Sequence, residues 1–148
     1  MDIYTIGYEG LSQKAFLAWL HRYDIDMIAD VRHLPLSRKK GFSKNGLNEF
    51  LAQNNIEYLS FRELGAPKEM RSKLLASGNY KNFFRNYKDN LSEKVDQIHK
   101  LCEILNSGKN IALLCFEHDA QKCHRKILAD EIKKVDGNGL EIKHIKPS

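Results

Sequence analysis

Cysteine and proline are scarce in this chain, with three of each among 148 residues, and long apolar runs are missing altogether. Each shortage excludes something. Three irregularly spaced cysteines make no disulfide framework, so the chain is expected in a reducing, cytoplasmic setting. No apolar stretch approaches the roughly 20 residues of a membrane span, so no membrane partner is expected. The opening "MDIYTIGYEG" has neither a basic n-region nor a long h-region, and a secretory signal is not expected from it. With no Pro/Gly-rich linker, repeat or low-complexity tract, residues 1–148 read as a single domain. One further absence is local. From Arg32 to Lys44 there is no acid, while Arg32, Arg38, Lys39, Lys40 and Lys44 are all basic.

What is present fits a globular protein: 42% hydrophobic and 29% charged residues. The formal net charge is +5, and the basic run at 32–44 concentrates it. Such an excess favours anionic partners, a phosphate-bearing small molecule or nucleic acid, although a solvated basic loop has the same composition.

Short apolar runs alternate with helical periodicity. "DIYTIG" (2–7), "DMIADV" (26–31), "IEYLS" (56–60), "NIALLCF" (110–116) and "LEIKHI" (140–145) read as strands. Between them, Ser12 begins a helix over 13–23 with Phe16, Trp19, Leu20 and Tyr23 on one face. Ser43 begins another, carrying Leu47, Phe50 and Leu51. A third pattern breaks at Gly78, Ser92 is expected to cap a fourth helix ending near Gly108, and a last helix runs from about 123 to 135. Strand–helix alternation implies an α/β, Rossmann-like layered fold, with a mostly parallel sheet of about five strands flanked by helices. A strand order of 3-2-1-4-5 would place the ligand crevice between the first and fourth strands, outside their carboxyl ends.

Those ends carry "GYEG", "DVRHLPLSR" and "CFEHDAQKCHR". The last packs two cysteines, two histidines, two carboxylates and two basic residues into eleven positions. Glu117 and Asp30 are candidate acid–base groups, because an apolar strand has no structural need to end in a carboxylate. Pairing with Arg32, Arg38 or Arg125 would instead make them loop braces. Cys123 sits where a helix begins, beside His124 and Arg125, a setting that lowers a thiol pKa. Cys115, His118, Cys123 and His124 are all competent zinc ligands, but there is no C-x2-C pair. Adjacent Cys123 and His124 would diverge on a helix, so no metal site is expected. Arg32, Arg38 and Arg125, with Ser37, are candidate anion ligands, since guanidinium suits bidentate phosphate binding. Tyr8 is a candidate stacking ring or a core residue. His21, His99 and His144 read as structural, Cys102 as a buried small apolar group, and Phe83, Phe84 and Tyr87 as core.

With those stretches in view, the chain resembles the family called domain of unknown function 488. The matching segments are "TIGYEG" (5–10), "DVRHLPLSRKKGFSK" (30–44), "LGAP" (64–67) and "LLCFEHDAQKCHR" (113–125). A proline expected near Lys40 is absent. The resemblance implies a compact α/β domain sharing Asp30, Arg32, Ser37, Arg38, Glu117, Cys123, His124 and Arg125, and it implies no particular activity or cofactor.

The expectation is an enzyme-like α/β domain binding a phosphate-bearing ligand, a nucleotide or nucleic acid, at the carboxyl ends of its strands. A non-catalytic nucleic-acid-binding module using the loop at 32–44 is the alternative. A metal or thiol-redox protein is a third, and it requires Cys115 and Cys123 to meet in space. Neither a cofactor nor an oligomeric state is named by the sequence.

Overall fold

A computed structural model describes residues 1–148. Five strands form one sheet: β1 (Asp2–Gly7), β2 (Met27–Asp30), β3 (Glu57–Ser60), β4 (Ile111–Cys115) and β5 (Glu141–His144). Every neighbouring pair is parallel. Six helices connect them: α1 (Gln13–Arg22), α2 (Lys44–Gln53), α3 (Lys68–Ser77), α4 (Tyr80–Leu91), α5 (Val95–Asn106) and α6 (His124–Asp136).

The strand order is β3-β2-β4-β1-β5, which corrects the expected 3-2-1-4-5. It is β4, not β1, that occupies the middle. Its run Ile111–Leu114 is wholly buried and uncharged, whereas β1 opens on Asp2. The least polar strand takes the position covered on both faces. The amino end of β4 is also stitched to β2: Asn110 N–H donates to Asp26 at 2.8 Å, and Asp26 N–H donates back to the Asn110 carbonyl at 2.8 Å.

Alternation along the strands divides the core. Ile3, Met27, Ala29, Val31, Ile111 and Leu113 pack against α4, α5 and α6. Tyr4, Ile6, Ile28, Ala112 and Leu114 face α1 and α2 through Phe16, Leu20, Leu47 and Leu51. Each fully buried aliphatic side chain stabilises the fold by about 1.5–3 kcal/mol. By the same alternation Asp30 belongs to the α1–α2 side of the sheet, and Cys115 to the α6 side.

One helix start differs from expectation. Ser12 caps α1 as its sequence suggests, its side chain accepting from the Ala15 N–H. Ser92 instead ends α4, and α5 starts after Lys94. Gly78, at φ +66°, closes α3 in the left-handed conformation that glycine tolerates best.

Candidate functional site at the carboxyl edge of the sheet

Asp30 ends β2 with no exposed surface. Its carboxylate holds the Arg32 guanidinium in a fork: Nε donates to Oδ1 at 2.8 Å and Nη2 to Oδ2 at 2.7 Å. Arg32 N–H and the Tyr58 hydroxyl also donate to it. Arg32 Nη1 donates to the Phe42 carbonyl at 2.6 Å and the Tyr8 hydroxyl at 3.2 Å. Burial works against the Arg32 charge, but Asp30's hydrogen bonds and charge outweigh it and raise the guanidinium pKa. Burial first, then Asp30, also raises the Tyr58 phenol, which therefore stays a donor. This is a buried ion pair that ties the start of the basic loop to the sheet.

Arg125 has a similar task. It is fully buried in the first turn of α6. Nε donates to Thr5 Oγ1 at 3.2 Å, Nη1 to the Glu117 carbonyl and Nη2 to the His118 carbonyl at 3.2 Å. Thr5 Oγ1 also shares a hydrogen bond with Nδ1 of His144 at 2.7 Å. The geometry thus gives Arg32 and Arg125 work inside the protein, clamping the two loops that form the edge. Of the three arginines expected to meet an anion, only Arg38 is exposed. Ser37 is also internal: its Oγ accepts from Lys39 N–H, and its N–H donates to Ser43 Oγ. Tyr8 is buried, stacked on Phe42 at 4.7 Å and 8°.

Around these braces lie the groups that do face outward. Phe116, at the tip of β4, is 47% exposed and meets the Tyr8 ring edge-on at 5.4 Å. Glu117 and Glu9 line an open cleft of about 610 Å³ with His118, Asp119 and Lys122. Burial, then the neighbouring Glu9 charge, raises the Glu117 carboxyl pKa. Glu9 in turn accepts from the His118 N–H at 2.9 Å. Neither Glu9, Phe116 nor Tyr58 stood out in the sequence reading. The signal for Phe116 was an apolar ring placed just past a strand end, between Cys115 and Glu117. Tyr58 gave none, because its role depends on β3 pairing beside β2.

Behind Phe116 is a second cluster. Cys115 Sγ lies 3.8 Å, and Cys123 Sγ 3.7 Å, from Nδ1 of His124. Nε2 of His124 is 2.8 Å from the Val31 carbonyl, so Nε2 carries a hydrogen and donates it, and Nδ1 faces the two sulfurs. The Tyr87 ring packs edge-on against the imidazole at 5.1 Å. Burial opposes ionisation of Cys123, but a hydrogen bond from Cys115 and the neighbouring His124 and Arg125 charges bring its thiol well below the usual range. The Cys115 thiol is pushed up, first by its bond to Cys123 and then by burial. Cys123 and His124 do not diverge as helix neighbours would. Cys123 is the extended N-cap residue (φ −133°, ψ 145°), so its side chain and that of the first helical residue turn to the same point.

The site residues thus fall on one edge in two braced groups and one cluster. β2 and β4 are adjacent, Asp30 is in register with Leu114, and His124 bonds to Val31. Elsewhere, Cys102 is buried between α5 and α6, and no helix is long and apolar enough to cross a membrane.

No curated protein and no solved structure matches the chain. A family model does, over residues 12–132, which takes in the basic loop and the whole of "CFEHDAQKCHR" but starts after "TIGYEG". The braces and the cysteine cluster therefore lie largely within the matched region, and the chain belongs to the family described as Domain of unknown function DUF488.

Proposed function

We propose that this is an enzyme-like α/β domain, working in the cytoplasm, that binds a phosphate-bearing ligand, a nucleotide or nucleic acid, at the carboxyl edge of its sheet. The observation that carries this reading is the exposed Phe116 ring. Through Tyr8 and Phe42 it is in continuous aromatic contact with the basic loop, and it adjoins Glu117 in sequence. A base would stack on Phe116. Phosphates would meet Arg38 and Lys40, both exposed, with Lys44 at the start of α2. The carboxylates of Glu9 and Glu117 repel phosphate, so their cleft suits ribose hydroxyls, or a proton transfer by Glu117. Arg32 and Arg125 act indirectly, by holding the two loops in place.

The test is affinity for nucleotides and for short DNA and RNA across a salt series. Phe116→Ala should weaken binding by about 1–3 kcal/mol, the range for base stacking. Arg38→Lys should weaken it by about 1.5–3 kcal/mol if the arginine forks a phosphate. A steep salt slope with Arg38→Lys neutral would instead favour a non-catalytic grip on backbone phosphates. No binding of any of these at low salt would overturn the proposal.

A further inference from the structure

Cys115, Cys123 and His124 form the only group of three or more potential metal-binding side chains whose ligand atoms converge: all three lie within 4.8 Å of one another. We infer that Cys115 Sγ, Cys123 Sγ and His124 Nδ1 are the protein ligands of a soft divalent cation, zinc in the first instance, with the fourth coordination position open. Four observations point the same way.

The first is distance. Tetrahedral zinc with Zn–S of about 2.3 Å and Zn–N of about 2.0–2.1 Å separates a nitrogen from a sulfur ligand by about 3.6 Å. The two separations here are 3.7 and 3.8 Å. A cation needs only small side-chain adjustments to be seated.

The second is the imidazole. A metal-bound histidine usually donates its other N–H to a carboxylate or a backbone carbonyl, which fixes the ring and the tautomer. Nε2 of His124 does this with Val31 at 2.8 Å, and Tyr87 holds the ring from the side. The other ring nitrogen, Nδ1, is therefore already aimed at the sulfurs.

The third is rigidity. The ligands stand on the end of the central strand and on the first residues of α6, and Arg125 ties the intervening loop to Thr5. The chain pre-assembles the site rather than closing a loop around it.

The fourth is composition. Two thiolates and an imidazole select a soft or borderline ion over magnesium or calcium. Two thiolates also balance the charge of a divalent cation. Three protein ligands plus an open position is the arrangement of catalytic zinc centres, whereas structural ones are closed by a fourth side chain. Cys123 and His124 are buried, and Cys115 is the partly exposed member. The site is independent of the phosphate-bearing ligand proposed above, because none of its three side chains is needed for that binding.

The experiment uses the full chain, stripped with a chelator under reducing conditions and titrated with Co(II) alone. One equivalent should bind, with thiolate-to-cobalt charge-transfer bands in the near ultraviolet and tetrahedral ligand-field bands in the visible. One equivalent of zinc should displace it. Cys115→Ser and Cys123→Ser should each reduce or abolish the thiolate bands, and Cys102→Ser should leave them intact. The wild-type zinc protein guards against variants that fail to fold: X-ray absorption should show two sulfur ligands at about 2.3 Å. Folded wild type that takes up no cobalt, bands that survive in the Cys115→Ser/Cys123→Ser double variant, or a zinc shell of nitrogen and oxygen alone would each overturn the assignment. Nucleotide binding that persists in the stripped protein would leave the ligand reading standing while the metal is judged on these results.

Discussion

Asp30 and Arg32 are separated by one residue and form the most heavily committed polar pair in the molecule. Both are buried, and between them they engage Tyr58 from β3, Tyr8 from the loop after β1 and the Phe42 carbonyl. Removing one partner of such a pair leaves an uncompensated charge. Asp30→Ala should therefore cost about 3–5 kcal/mol in denaturant unfolding. A loss below about 1 kcal/mol would mean that the pair is hydrated, as surface bridges are. His144 offers a pH-dependent counterpart. Burial first, and then the Arg125 charge, lowers its pKa in the fold, with Lys126 and Lys146 acting the same way and Asp130 opposing. The folded state favours the neutral ring. Its contribution to stability is therefore full above the unfolded value of about 6.5 and is lost as pH falls through the lower folded value. Between about pH 8 and about pH 5 the wild type should lose more stability than His144→Gln, measured by urea unfolding at both. Equal losses would refute the assignment. The charge run and the polar residues of this edge were legible in the sequence. Their employment was not, since whether an arginine braces a loop or meets a ligand depends on partners far along the chain. Thr5 and Arg125 are 120 positions apart.

At the scale of elements, periodicity located every strand within about two residues, because each pairs an apolar run with flanking turn residues. Helix starts were less legible. Ser12 and Ser92 look equivalent in sequence, yet only Ser12 caps a helix that follows it. The strand order failed for a physical reason already visible in composition: the least polar strand belongs in the centre, and that is β4. The close approach between β1 and the loop after β4 was hidden because glycine has no side chain to announce it. A Cβ at Gly7 would lie 1.8 Å from the Glu117 carbonyl oxygen, and one at Gly65 would lie 2.1 Å from the backbone nitrogen of His33. Gly7→Ala should push the Glu117 loop outward, costing about 1–3 kcal/mol. It should also disturb both the cleft and the Arg125 clamp, and amide exchange would show faster opening at residues 117–118. Unchanged exchange and stability would argue that the two segments are not in contact.

Over the whole molecule, the topology does one thing that matters for function. Adjacent parallel strands β2, β4 and β1 bring their carboxyl ends side by side, so chain segments near residues 8, 32–44 and 115–125 share one edge. The opposite end of the sheet carries only tight connections such as Asp26–Asn110. The central claim is that a phosphate-bearing ligand is held at the carboxyl edge. Backbone amide chemical-shift mapping during titration with a nucleotide tests it most directly, because it reports location as well as binding. Shifts concentrated at residues 9–10, 38–44 and 116–122, saturating with one ligand per chain, are expected. Shifts confined to α3 and α5, or to the amino ends of the strands, would contradict it, as would a spectrum unmoved by nucleotides and by short DNA and RNA at low salt.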